Sequence, residues 1–151
     1  MAKKYLTSIT LILFAVATLF GQTNKNIPFK IAKNYFVNNT FKNGELKSLK
    51  ILTAEKFAQY IGMATVMGID GKPTDIDFTK QFVIVVINDL TNNSTTLIPE
   101  KLELIGKNHL NFTFKTIIGE ETTATFRPFT MIIVDKKYRK SKIELTTYSV
   151  L

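Results

Sequence analysis

The chain has 151 residues, and its 20 Lys and Arg residues outnumber its 12 Asp and Glu residues, giving a formal charge of +8. It contains no Cys, no Trp and a single His. These counts exclude a disulfide framework, a cysteine nucleophile, a cysteine zinc cluster and a site built from several histidines. Hydrophobic residues make up 45% of the chain, which is ordinary for a globular protein and argues against wholesale disorder.

The first 21 residues differ in composition from the rest of the chain. Two early lysines are followed by an uncharged, mainly apolar run over residues 5–20, which is shorter than the roughly 20 residues of a membrane-spanning helix. With the small residue Gly21 behind it, this run predicts a secretory signal peptide cleaved between Gly21 and Gln22, with Ala17 as an alternative site. The competing interpretation is an uncleaved N-terminal anchor. Because no Cys follows the run, a lipoprotein is excluded.

The predicted mature chain is a single exported domain. Removing 21 residues and two lysines leaves 130 residues with 18 basic and 12 acidic side chains, a charge of +6. A chain of this length can bury roughly two-thirds of its unfolded surface in one core. Exported proteins of this size often contain disulfides, so their absence favours a bacterial protein, periplasmic or secreted, that is stabilised by packing alone. No transmembrane segment is expected after cleavage.

The first half of the mature chain contains few signals. Residues 22–28 are polar and predict a disordered lead-in to a domain that spans residues 29–151. Short strands are predicted over residues 33–37 and 49–52. Residues 63–74 contain several Gly and Pro positions and predict a connection without regular structure.

One helix is predicted, over residues 53–62. Thr53 is a suitable N-cap, Glu55 lies where the helix dipole favours a negative charge, and Gly62 is placed to stop the helix. Its apolar face is formed by the residues at i, i+3 and i+4, namely Phe57, Tyr60 and Ile61. A helix of about two turns needs a sheet to pack on.

From residue 82 onward the pattern is that of strands joined by short turns. Residues 82–87 and 129–134 are apolar on both faces and predict strands covered on both sides, whereas residues 110–114 alternate and predict one buried face. Further strands are predicted over residues 102–105, 122–126 and 143–150, with turns at 106–108 and 119–121. The fold class is therefore α+β: a mainly antiparallel sheet, or an open barrel or sandwich, with one short helix packed on it.

Few residues in the sequence suggest catalysis. His109 adjoins a predicted turn, with no Ser or Asp beside it to suggest a triad, so an exposed turn histidine explains it. No serine-hydrolase elbow, phosphate-binding loop or dinucleotide fingerprint occurs. We therefore expect no enzymatic activity and no cofactor. A hydrolase that uses only carboxylates is the alternative ranked last, with the pairs Asp75 and Asp77 or Glu120 and Glu121.

Three aspartates superficially resemble a calcium-binding loop. They are Asp70, Asp75 and Asp77, but Lys72 and Pro73 stand where ligands are needed, and no glutamate closes a twelve-residue loop. Aspartates in turns and before a strand explain the same pattern. We expect no metal site.

A basic segment near the end of the chain is one candidate binding site. It is predicted to form a hairpin loop with five cations in seven residues: Lys136, Lys137, Arg139, Lys140 and Lys142. Such a loop could bind an anionic glycan or lipid, with about 1 kcal/mol per cation. A solvated loop whose charges prevent strands from associating is the alternative. Nucleic acid is not expected, because the protein is predicted to be exported and the segment lacks an aromatic platform.

The other candidate is a polar segment directly after the predicted central strand. Residues 91–96 predict a loop, and loops on a rigid β scaffold often carry recognition. Its candidate partner-binding residues are Asn92, Asn93, Ser94 and Thr95.

Residues 76–86, with the sequence Ile-Asp-Phe-Thr-Lys-Gln-Phe-Val-Ile-Val-Val, resemble the opening strand pattern of the PrcB C-terminal domain family. This family is named for a subunit of a bacterial surface protease complex. The resemblance continues through residues 110–114 and 130–136, and it covers about residues 76–137. It implies an exported, non-enzymatic scaffold that binds another envelope protein, with a protease among the candidates. The chain departs from the family at residues 91–95, where the usual Thr-Gly-Gly-Tyr is absent.

A fainter resemblance is to the chagasin-type inhibitors of cysteine proteases. Arg127, Pro128 and Phe129 match the arginine-proline-aromatic loop of those β-sandwiches, and Gly119 matches part of their glycine-rich loop. This resemblance implies inhibition of a protease through residues 92–95 and 127–129. The leading hypothesis is an exported binding or scaffold protein of the bacterial envelope, and the alternatives are a protease inhibitor and a binder of anionic glycan or lipid through residues 136–142.

Overall fold

The computed structural model describes residues 24–39, 41, 46–65, 67–68 and 71–150. The predicted signal peptide, the first two residues of the predicted lead-in, and Asp70 lie outside these residues. The described chain forms three layers: an outer sheet, a central sheet, and a layer made of one helix and a two-stranded antiparallel sheet. Neither sheet closes into a barrel, so the α+β sandwich with one short helix is confirmed.

Ten strands and one α-helix make up the layers. The outer sheet has the order β1 (Lys25–Asn26), β7 (Thr91–Ile105), β8 (His109–Phe126) and β10 (Lys142–Val150). The central sheet has the order β2 (Lys30–Ile31), β9 (Phe129–Asp135), β6 (Gln81–Ile87) and β4 (Lys47–Ile51). The third layer contains β3 (Tyr35–Val37), α1 (Ala54–Tyr60) and β5 (Ile61–Met63), with β3 paired to β5. In the described part of the chain no helix is long and apolar enough to span a bilayer.

Four of the strands form one long ribbon that folds over on itself. β6 pairs with β9 up to Ile87, which lies opposite Phe129, and β7 begins its pairing with β8 where Thr91 lies opposite Phe126. Only three residues join β6 to β7, and only two join β8 to β9. The ribbon therefore contributes one half to each sheet and brings the two halves face to face.

The apolar pattern of the ribbon explains why it folds. Between the sheets lies a continuous buried cluster, and Leu110, Phe112 and Phe114 of β8 are all 0% exposed, as their alternation predicts. The opposite face of the central sheet buries Val83, Val85 and others against the third layer. The expectation that β6 and β9 are covered on both faces is confirmed.

The helix begins where the sequence predicts. Thr53 Oγ1 accepts a hydrogen bond from the backbone N–H of Lys56 at 3.3 Å, and Glu55 lies in the first turn. Phe57 is the buried residue of the helix and points at the central sheet. A helix of seven residues is too short to be stable alone, so its position depends on this contact.

The predicted end of the helix is wrong by two residues. Ile61 is already extended, with φ −126° and ψ 128°, because residues 61–63 pair with β3. Gly62 therefore does not cap the helix. It allows Phe36 of β3 to pack across it, since a Cβ atom at Gly62 would overlap the Phe36 ring.

Two predicted loops in the second half of the chain are strands. Residues 91–96 form the first part of β7, and residues 119–121 lie within β8, where the pairing is irregular between Asn93 and Thr95. Both segments are polar because they lie beside the fold of the ribbon, where their side chains are largely exposed, while their Thr residues remain compatible with a strand.

The basic segment is not a hairpin loop. Residues 136–138 form one turn of 3₁₀-helix that leads from β9 in the central sheet to β10 in the outer sheet. β10 then runs parallel to β8, with Lys142 opposite His109. The sheets are mainly antiparallel, as predicted, and β10 is parallel to β8 because the chain crosses between layers before the last strand.

The described part of the predicted disordered lead-in is ordered. Lys25 and Asn26 pair with β7, and Ile27 is only 3% exposed within the core between the sheets. The backbone N–H of Ile27 donates to Leu102 O at 2.8 Å. One apolar residue in a polar segment is enough to fix the chain here, because its burial and this hydrogen bond act together.

Candidate functional site

The polar residues of β7 form hydrogen bonds within the ribbon. Asn92 Nδ2 donates to Glu121 Oε1 at 2.5 Å, and Thr122 Oγ1 donates to Asn92 O at 2.9 Å. Asn93 Nδ2 donates to Gly119 O at 3.4 Å, and Thr95 Oγ1 donates to Asn93 O at 3.0 Å. The neighbouring Ser94 is exposed. The side chains of Asn92 and Asn93 therefore hold β7 and β8 together beside the fold of the ribbon.

The Arg-Pro-Phe segment lies at the same corner of the fold but makes contacts within the chain. Arg127 Nη1 donates to Phe41 O at 3.0 Å, and its guanidinium lies 5.2 Å from the centre of the Phe41 ring. Pro128 is buried, and Phe129 packs against the cluster under the third layer. The structure thus brings residues 92–95 and 127–129 to one region without leaving the latter side chains free.

Part of the basic segment is also used internally. Lys136 Nζ donates to Phe78 O, and Lys137 Nζ lies 3.1 Å from Asp135 Oδ2 and 5.1 Å from the centre of the Tyr138 ring. The hydrogen bond and charge of Asp135 raise the pKa of Lys137. Arg139 Nη1 also donates to Lys136 O, at 3.4 Å, so three of the five predicted cations make contacts within the protein.

The remaining cations are joined by residues that the linear sequence does not place beside them. Lys142 N donates to Asn108 O at 2.8 Å, which sets β10 against the turn that precedes His109. Together these residues form what we call the basic end, consisting of Lys107, His109, Arg139, Lys140 and Lys142, all of them exposed. The ammonium groups of Lys107, Lys140 and Lys142 have no hydrogen bond or ion pair to any described residue.

The candidate carboxylates make local contacts or lie exposed. Asp77 caps a turn: its Oδ1 accepts from Thr79 N at 2.9 Å and from Thr79 Oγ1 at 2.5 Å, and these hydrogen bonds lower the pKa of Asp77. Glu120 and Glu121 are exposed on the ribbon. Among the residues that the structure describes, no three side chains of His, Asp or Glu come together in a way that could hold a metal ion.

An apolar pocket of about 560 Å³ lies on the face of the central sheet that the third layer covers, between α1, β5 and residues 71–78. Its walls are aromatic: the Phe57 ring lies 5.5 Å from that of Phe78 and 5.3 Å from that of Tyr35, centre to centre. Ala54 and Ala58, one helical turn apart, leave the helix side of the pocket open. A volume of this size is typical of ligand pockets.

The segment that forms the far wall of the pocket is fixed by hydrogen bonds to the chain before β3. Lys33 N donates to Thr74 Oγ1 at 3.0 Å, and Thr74 N donates to Lys33 O at 3.2 Å. Asn34, which has a φ of +63°, donates from Nδ2 to Lys72 O at 2.9 Å. A segment without regular structure is thereby held as firmly as a short strand pair.

The rim of the pocket carries two opposite charges. Lys72 and Asp75 both line the pocket and are exposed, and neither side chain has a hydrogen bond or ion pair to any residue that the structure describes. The hydroxyl of Tyr35 donates to Thr74 O at 2.6 Å. Burial, and then the nearby Asp75 carboxylate, raise the pKa of Tyr35, so this hydroxyl stays protonated.

Sequence reasoning missed this pocket. Its aromatic walls come from three separate segments, and Phe57 was assigned only to the apolar face of the helix. The signal that could have pointed to it is the pair of small residues Ala54 and Ala58, which flank Phe57 on the helix and leave its neighbourhood unfilled.

No family model matches the chain, and no curated protein or solved structure matches it significantly. The resemblance to the PrcB C-terminal domain family stays a prediction from strand patterns. The function is therefore argued from the geometry of the described residues.

Proposed function

We propose that this protein is an exported, non-enzymatic binding protein of the bacterial envelope, and that it holds a protein partner at the apolar pocket between α1, β5 and residues 71–78. The observation that supports this function is the pocket itself, with its aromatic walls and two rim charges that pair with no residue the structure describes. Export is proposed from the signal-peptide pattern of the first 21 residues.

The energetics favour a partner larger than the pocket. One aromatic side chain buries about 150–250 Å², which corresponds to about 4–6 kcal/mol at about 25 cal/mol per Å². Association costs about 4–15 kcal/mol in lost freedom. A single anchoring side chain is therefore not enough for firm binding. Met63, which lines the pocket and is 70% exposed, offers a protein partner further contact area.

The test is to fill the pocket. Replacing Ala58 by Trp places an indole in it, and replacing the adjacent Gln59, which does not line the pocket, by Trp is the matched control. Each protein is used to capture partners from cross-linked bacterial envelope fractions, and the captured proteins are identified by mass spectrometry.

We expect a partner that is enriched by the wild type and by Gln59→Trp but not by Ala58→Trp. The purified partner should bind the wild type and Gln59→Trp more tightly than Ala58→Trp. Identical capture by all three proteins, or capture of nothing by the wild type, would contradict the proposal. Circular dichroism spectra of both variants control for folding.

A second candidate function is attachment to an anionic lipid surface through the basic end. The observation that favours it is the convergence of Lys107, Lys140 and Lys142, whose ammonium groups have no partner in the described part of the chain. Vesicles that contain anionic lipid should sediment the protein at low salt, and Lys140→Glu with Lys142→Glu should abolish this. Binding to an acidic polysaccharide but not to vesicles would assign the basic end to a glycan.

Inhibition of a cysteine protease lacks comparable support. The side chains of Arg127, Pro128 and Phe129 are occupied within the chain, so they are not presented to a protease cleft. Titration of papain with the protein tests this alternative, and inhibition at micromolar concentration would restore it.

A further inference from the structure

The pocket and the charges at its rim together define the kind of ligand that fits. We propose that the pocket takes an extended peptide segment: one large apolar side chain enters the pocket, Lys72 donates to a backbone carbonyl of the peptide, and Asp75 accepts from a backbone N–H. This inference rests on the proposed function and names the part of the partner that the pocket recognises.

Two opposite charges at the edge of an apolar pocket select against other ligands. A fatty-acid anion would satisfy Lys72 but would meet the carboxylate of Asp75, and a hydrocarbon would cover both charges while pairing neither. A peptide group carries a donor and an acceptor directly beside an apolar side chain. It is therefore the chemistry that satisfies both rim residues and fills the pocket at once.

The spacing of the rim residues agrees with a peptide. Lys72 and Asp75 are three positions apart, so their Cα atoms are separated by at most about 11 Å. Two to three residues of an extended chain cover such a span. The Tyr35 hydroxyl does not donate a hydrogen bond to the ligand in place of Lys72, because it already donates to Thr74 O.

The walls indicate which side chain enters. Phe57 and Phe78 are inclined at 55° with ring centres 5.5 Å apart, and the Tyr35 ring is perpendicular to Phe57 at 89°. A further aromatic ring can contact these rings in tilted or edge-to-face geometry, the arrangements that aromatic pairs prefer. Phenylalanine is the side chain that we assign to the ligand.

The experiment compares probes that carry different parts of this chemistry. N-acetyl-L-phenylalanine amide has the ring and both flanking peptide groups, toluene has the ring alone, and decanoate has an apolar chain with an anionic head. Each is titrated into the ¹⁵N-labelled protein while the backbone amide resonances of residues 54–63 and 71–78 are followed.

We expect the phenylalanine amide to shift these resonances with an affinity at least fivefold greater than that of toluene. Lys72→Met and Asp75→Asn should each lower the affinity for the phenylalanine amide at least threefold and leave the affinity for toluene unchanged. Lys25→Met, which removes an exposed lysine of β1 in the outer sheet, is the control and should change neither.

The outcomes separate this inference from the proposed function. Equal affinities for the amide and toluene, insensitive to Lys72→Met and Asp75→Asn, would overturn the peptide assignment but leave the pocket as a binding site. Decanoate binding more tightly than the amide, and losing its affinity in Lys72→Met, would replace the peptide by an anionic amphiphile. No shift with any probe at 20 mM, together with unchanged partner capture by Ala58→Trp, would overturn both.

Discussion

The two faces of the central sheet are covered in different ways. One face packs against the outer sheet, and the side chains between them, such as Phe82, Phe112 and Phe114, are completely buried. The other face is covered by a seven-residue helix and a small sheet of two three-residue strands, and it retains a pocket of about 560 Å³. A sheet can cover another sheet along its whole length, whereas so short a helix cannot fill the same area. The first face provides stability, and the second provides space for a ligand.

The largest expected effect compares an aromatic residue from each face. Phe112→Ala should lower the free energy of unfolding by about 3–5 kcal/mol, because the rigid space between two sheets cannot close over the lost ring. Phe57→Ala should cost less, about 2–3 kcal/mol, because a short helix beside a pocket can move inward. Urea unfolding of both variants measures the difference. Equal losses would show that the third layer is as tightly packed as the sandwich.

A smaller effect is expected at the start of the helix. Thr53→Ala removes the hydroxyl that accepts from Lys56 N, and it should lower stability by about 1 kcal/mol. If the third layer is the less stable one, hydrogen exchange of the α1 amides should accelerate by about the corresponding fivefold while that of the β8 amides changes less. Thr79→Ala, which removes another hydroxyl from the same side of the sheet, tests whether the effect is specific to the helix. Uniform acceleration throughout the protein would indicate that the layers unfold as one unit.

The smallest expected effect is on the pH dependence of the melting temperature, and it arises at Asp77, in the segment that forms the far wall of the pocket. The pKa of Asp77 is lower in the folded protein than its ordinary value, first because of the hydrogen bond from the Thr79 hydroxyl. Its contribution is therefore present above the ordinary pKa of an aspartate and is lost as the pH falls through the folded pKa. Asp77→Asn should melt at a lower temperature than the wild type at pH 7, and the two melting temperatures should converge near pH 2. A constant difference across this range would mean that the charge of Asp77 plays no part.

The strands that carry an apolar pattern were predictable. The runs at residues 82–87 and 129–134 and the alternation through residues 110–114 each report burial directly, because a strand presents its residues to the two faces in turn. The Thr53 cap was predictable for a similar reason, since it depends only on the next three residues. The polar strand over residues 91–96 was not predictable. These residues form the first part of β7 because β8 lies beside them, and a pairing between residues so distant in sequence cannot be recognised from a short stretch of sequence.

The two candidate binding sites also differ in how far the sequence could predict them. The basic segment was visible as five nearby cations, but its three internally held members and its neighbour Lys107 depend on how the chain passes from β9 in the central sheet to β10 in the outer sheet. The apolar pocket was invisible, because Tyr35, Phe57 and Phe78 meet only in three dimensions.

By itself, the sequence determined the absence of thiol chemistry, the excess of positive charge, the β-rich fold class and the identity of the central strands. These follow from composition and from local periodicity, which act within a few residues. The tertiary structure alone decided which strands are neighbours, that the last strand runs parallel to β8, and that a gap remains beside the short helix. Such features arise from long-range pairing and from the unequal areas of the layers, and no local pattern encodes them.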